Sequence, residues 1–158
     1  MKNKKTTSAL FVALALTIGS LTIQAQQTWV WKANEVNVEL SENFKINKNS
    51  KNEFKAEGDG IELYMFIFEE NMSLEQMKAA TELAATEMEL EQADVIKDIS
   101  TSDFSGQYIT GYKEEDAVIL CGMVKPGEGI NFFVAITFDN DDGVAQGHAF
   151  ELLRSLRL

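Results

Sequence analysis

Three segments of this chain are apolar on both faces of an extended strand. In Ile61–Phe68, Ile61, Leu63, Met65 and Ile67 point one way, while Tyr64, Phe66 and Phe68 point the other. Val118–Val124 and Phe132–Phe138 repeat the pattern. A strand with one wet face alternates apolar with polar residues, so doubly apolar strands belong in the middle of a sheet with a layer on either side. This requirement excludes a simple two-layer antiparallel sheet and predicts helices to cover both faces.

Two segments can supply those helices. Ser73 to Leu90 opens with Ser73 and Gln76 at capping-box spacing, flanked by Met72 and Met77 at the staple positions. Its apolar stripe runs through Met77, Thr81, Ala84 and Met88, widened by Leu74 and Leu83. The second helix runs from about Gly143 to Leu156, with Asp141 or Asp142 as cap and Arg154 and Arg157 at its negative end. Its expected inner stripe is Val144, His148, Ala149, Leu152 and Leu156.

The remaining segments read as strands and turns. Residues 26–34, with Trp29 and Trp31, form a short edge strand or a docked tail; Val36, Val38 and Leu40 alternate with polar neighbours. Phe44–Ile46 resumes the alternation, 47–52 reads as an exposed turn, Phe54 and Ala56 mark another strand, and Glu57-Gly58-Asp59-Gly60 is a tight turn. Val95–Ile99 and the glycine-bearing Phe104–Tyr112 precede the Val118 strand, the latter placed near an edge or a bend. Short links at 113–116 and 125–129 make consecutive strands antiparallel. The order is three or four strands, a helix, four strands and a helix. The fold class is therefore α+β, with a mainly antiparallel central sheet covered by helices on both faces.

The N-terminus carries Lys2, Lys4 and Lys5, an apolar run from Ala9 to Ile18 and a close at Ile23-Gln24-Ala25, which is the layout of a secretory leader spanning residues 1–25. The apolar run is shorter than the roughly 20 residues that span a bilayer, so removal is expected, leaving 26–158 as a single domain. The leader holds three lysines and no acid, so its loss takes the net charge from −11 to −14. Such an excess disfavours nucleic acid and anionic lipid as partners. The expectation is an exported protein, periplasmic or secreted, not embedded in a membrane. With no cysteine near residue 25, it is not a lipoprotein.

Several features are similar to one family. They are Val38-Glu39-Leu40-Ser41-Glu42-Asn43-Phe44-Lys45-Ile46, the turn and strand Glu57-Gly58-Asp59-Gly60-Ile61-Glu62-Leu63, the segment Gly106-Gln107-Tyr108-Ile109-Thr110-Gly111, and a terminal helix closing on Ser155-Leu156-Arg157. Together they resemble the PsbP-like fold, a group that includes the extrinsic photosystem protein and exported bacterial proteins of the DcrB type. The resemblance spans about residue 34 to 158. Relatives often carry Pro and Gly in the opening turn, where this chain has Ser41 and Asn43; Asn adopts left-handed turn conformations, so the bend is retained. The resemblance implies an α/β/α sandwich and a binding or accessory role. It transfers no site residue.

Chemistry-bearing candidates are few. A single cysteine and a single histidine exclude a Cys/His zinc cluster and an intramolecular disulfide. Cys121 lies mid-strand among aliphatic residues, which makes it a buried thiol first and the nucleophile of a weak hydrolase with His148 only second. Asp139-Asn140-Asp141-Asp142 offers hard oxygen ligands for calcium, but an EF-hand needs Gly at the position of Val144 and Glu at that of Phe150. The turn is explained first as a helix cap, and cation or small-molecule binding there is the alternative. Close carboxylate pairs such as Glu69-Glu70, Glu114-Glu115 and Asp141-Asp142 fall at turns and strand ends, where 25 acidic residues make pairs by chance. Asn71-Met72-Ser73 matches a glycosylation sequon, with Ser73 already taken as a cap. No cofactor motif is present and none is expected. Trp29 and Trp31, ahead of the compact domain, are the candidate exposed anchors for a protein or other extracytoplasmic partner. The reading is a non-catalytic exported binding domain.

Overall fold

The computed structural model describes residues 26–32, 35–67 and 71–158. The leader, Phe68 and the Glu69-Glu70 pair lie outside the described residues. The fold is α+β. Strands β3 (Lys45–Asn49), β4 (Glu53–Gly58), β5 (Ile61–Ile67), β6 (Lys97–Ser100), β7 (Ser105–Lys113), β8 (Asp116–Lys125) and β9 (Ile130–Asp139) form one antiparallel sheet in the order β3-β4-β5-β9-β8-β7-β6. Strands β1 (Gln26–Val30) and β2 (Asn37–Ser41) pair with each other as a separate two-stranded sheet. Helix α1 (Leu74–Glu87) connects β5 to β6, and α2 (Gly143–Ser155) follows β9.

The alternation of β8 and β9 divides the core in two. Ile119, Cys121 and Met123 join Phe132, Val134 and Ile136 on one side, where Leu63 and Met65 of β5 continue the cluster. This cluster is closed by Ala145, Ala149, Leu152 and Leu153 of α2 and by Trp31, Val36, Val38 and Leu40 around the two-stranded sheet. The intervening residues Leu120, Val124, Phe133 and Ala135 face the other way and pack with Ile109 against Met77 and Ala85 of α1. Helix α1 rests on β7 and β8. It approaches so closely that a Cβ at Gly122 would fall 2.6 Å from Met77 Cγ and closer still to Thr81 Oγ1. Glycine is what allows the helix to sit down there.

The expectation of cover over both sides of β5 needs correction. Tyr64 and Phe66 are only half-buried, because α1 makes its main contacts with β7 and β8. The aromatic rings shield one another instead. Phe66 lies between Phe133 (5.3 Å between centroids) and Tyr64 (5.1 Å), both stacked. Lys55 Nζ sits 4.5 Å from the Tyr64 ring centroid, and the Tyr64 hydroxyl donates to Glu53 at 3.0 Å. Stacking and a cation over the ring substitute for a covering layer.

Other expectations shift locally. The capping box at Ser73 forms as the spacing predicts, with Gln76 N–H donating to Ser73 Oγ and Ser73 N–H to Gln76 Oε1. Leu74 and Leu83 are exposed rather than part of the stripe. Helix α2 turns Ala149, Leu152 and Leu156 inward as predicted, together with Ala145 and Leu153, whereas Val144 is 68% exposed and His148 is exposed. Five strands precede α1 rather than three or four. The segment 47–52 is a turn only at its end, since β3 runs to Asn49 with a register shift between Ile46 and Lys48. That bulge breaks the two-residue period by which a strand is recognised.

Candidate functional site

Two surface clefts of about 660 Å³ each lie at different places on the molecule. The first is built where β2, the turn after it, the β4–β5 turn and α2 converge. Leu40, Phe44, Ile61 and Leu152 give it an apolar floor, and Gln26, Glu39, Asp59, His148, Glu151 and Arg154 stand around it. The two turns are locked together, since a Cβ at Gly58 would lie 2.7 Å from Phe44 Cα. Asp59 accepts from the Ser41 hydroxyl and from Asn43 Nδ2 (2.8 Å). Glu39 forms an ion pair with Arg157 at 2.7 Å, while its N–H donates to Ser155 Oγ (3.1 Å), whose hydroxyl donates to the Leu152 carbonyl (2.7 Å). Glu39 and Asp59 therefore hold the walls. His148, Glu151 and Arg154 share the exposed side of α2 and are the charged or titratable groups presented to an incoming molecule.

The second cleft is acidic, lined by Glu91, Gln92, Tyr112, Glu114, Glu115, Asp116, Asp139, Asn140 and Asp141. Here the predicted turn 139–142 finds its place. Asp139 Oδ1 accepts from Asp141 N–H (2.9 Å), and Asp142 Oδ1 accepts from Val144 N–H (3.0 Å) and Ala145 N–H (2.9 Å). Asp142 is thus the α2 cap, and two of the carboxylates already serve the backbone. Among the described residues, no group of three or more His, Cys, Asp or Glu is arranged to hold a metal ion.

Cys121 is wholly buried on β8, and burial pushes its thiol far above the ordinary range, so the thiolate a nucleophile requires is not formed. His148 is exposed on α2 rather than an inner-face histidine. A buried thiol and a solvent-facing imidazole do not make a nucleophile–base pair.

The tryptophans require a further correction. The two-residue period puts both indoles on the same side of their segment, and that side faces the large sheet. Trp31 is fully buried, edge-on to Phe132 (5.8 Å between centroids), with Nε1–H donating to the Ser50 carbonyl at 2.9 Å. Trp29 is half-buried against the same cluster, and its Nε1–H is buried with no acceptor among the described residues. Trp31 is therefore a core residue rather than an exposed anchor. Neither tryptophan lines the first cleft, but Gln26 of the same strand does. Sequence reasoning missed that cleft. Its walls come from segments about 100 residues apart, and no local pattern marks them. Neither a scan against protein-family models nor a search of curated proteins returns a match for this chain.

Proposed function

We propose that the protein is an exported, non-catalytic binding domain with the layered α/β/α arrangement of the PsbP-like group, and that it engages a protein or other extracytoplasmic partner at the first cleft. The layered reading is supported by α1 and α2 packing against separate core clusters on opposite sides of β8 and β9. The observation that carries the binding reading is the cleft itself. An apolar floor is ringed by polar groups, and His148, Glu151 and Arg154 stand exposed beside walls fixed by their own hydrogen bonds. A concave, preformed, partly apolar surface with a few polar groups is the usual form of a recognition site. The acidic turn is better accounted for by capping than by cation binding.

The test is capture from the native envelope with the His148→Ala/Glu151→Ala/Arg154→Ala variant. These side chains are exposed, so the variant should melt with the unaltered protein and lose its captured partner by about tenfold or more, the effect of removing central interface groups. Full retention of every captured partner would remove the cleft from consideration.

A further inference from the structure

We infer that the outer edge of β1 is a strand-addition site for an extended, basic segment of a partner protein. This rests on the binding reading above and specifies a second element of recognition beside the cleft. The hydrogen-bonding parity of β1 follows from its closing turn. Trp31 N–H donates to the Val36 carbonyl (2.7 Å), and β1 and β2 keep one regular register from Val30↔Asn37 to Gln26↔Ser41. In an antiparallel pair the bonded residues alternate, so odd-numbered residues of β1 face β2 and the peptide groups of Gln26, Thr28 and Val30 point outward.

One end of that outward edge is already engaged in the way a neighbouring strand would engage it. Asn49 Nδ2–H donates to the Val30 carbonyl (2.9 Å), and Asn49 Oδ1 accepts from Lys32 N–H (3.0 Å). A side-chain amide stands there in place of a peptide group. Further along the edge, the outward groups of Thr28 and Gln26 meet no such partner among the described residues.

The other edges are defended. β3 carries Lys45, Lys48 and a bulge; β6 is four residues long and bears Lys97 and Asp98. Lysines, bulges and shortness are the devices that keep sheet edges from pairing. β1 (Gln-Gln-Thr-Trp-Val) has no charge, no proline and no bulge, and Val30 is 49% exposed on it. The main chain thus offers the bonds of β-augmentation, and Val30 offers an apolar contact to alternate side chains of the added strand. Charge selects the occupant. A chain of net charge −11 attracts a basic segment and repels a second copy of itself. A single five-residue strand pair also buries far less than the roughly 1,200 Å² of a stable dimer.

The experiment selects random short displayed peptides on the purified protein and measures those recovered against Thr28→Pro. Thr28 N–H points away from β2, so proline there removes an outward donor and leaves the β1–β2 ladder intact. Thr28→Lys, which installs an edge charge without altering the backbone, serves where Thr28→Pro does not fold. The expected result is recovery of peptides rich in Lys, Arg and β-branched residues. They should bind Thr28→Pro or Thr28→Lys about tenfold more weakly, the loss of roughly one hydrogen bond plus steric exclusion, and bind the Arg154→Ala cleft variant undiminished. Equal binding to the Thr28 variants, recovery of acidic peptides or no recovery would overturn the inference. Loss on the cleft variant alone would keep the cleft and discard the edge. A Thr28-dependent dimer in sedimentation without peptide binding would assign the edge to a second copy and overturn the inference as well.

Discussion

The two tryptophans show how one residue type acquires opposite energetic signs a short distance apart. Trp31 donates its indole N–H to Ser50, whereas Trp29 buries the same group with no acceptor among the described residues. Trp31→Phe should therefore cost about 1–3 kcal/mol by leaving a gap in the core and a part-buried carbonyl short of its donor, and Trp29→Phe should cost less or nothing. Urea unfolding of the two variants gives the comparison, and equal losses would contradict the assignment. Gly122→Ala should cost about 1–3 kcal/mol in the same assay, because a methyl group there meets Met77 and Thr81 of α1. Cys121 should resist alkylation in the native protein and react only on unfolding, since it is wholly buried. Labelling at the rate of a free thiol without denaturant would disprove its burial.

At the scale of elements, the sequence was legible wherever one force dominated. The Ser73 capping box, the β7–β8–β9 meander and the burial of both faces of β8 and β9 follow from local hydrogen bonding and alternation, and they form as read. Ser73→Ala should weaken the protein by about 1 kcal/mol in thermal or urea melts, and no loss would mean that α1 holds without its cap. The reading went astray where the apolar pattern alone did not fix which face is covered. On α2 the buried face is shifted toward Ala145 and Leu153, so Val144 and His148 turn outward while Ala149, Leu152 and Leu156 stay inward. On β5, Phe66 and Tyr64 look like core on pattern alone, yet mutual stacking allows them to stand half-exposed. The bulge in β3 hid a strand inside an apparent turn. The cleft was illegible for another reason: it exists only once β2 and α2 have been brought together through long-range contacts.

For the molecule as a whole, acid should act through a few exposed carboxylates. A hydrogen bond from Thr110, with Lys97 nearby, holds Asp94 below its usual range; bonds from Leu158 N–H and the Ser102 hydroxyl do the same for Asp103. Depressed folded values stabilise the protein above the unfolded carboxylate range, near pH 4, and this contribution is lost as pH falls through them. The melting temperature should decline below about pH 4, and Asp94→Asn/Asp103→Asn should flatten that decline. An unchanged slope in the double variant would show that other groups carry the acid response.

The strand order has a temporal corollary. β9, at the middle of the seven-stranded sheet, is the last of the described strands in chain order; until it pairs, β5 and β8 have no common neighbour. The two halves of the sheet, β3–β4–β5 and β8–β7–β6, are therefore joined only when β9 enters between them.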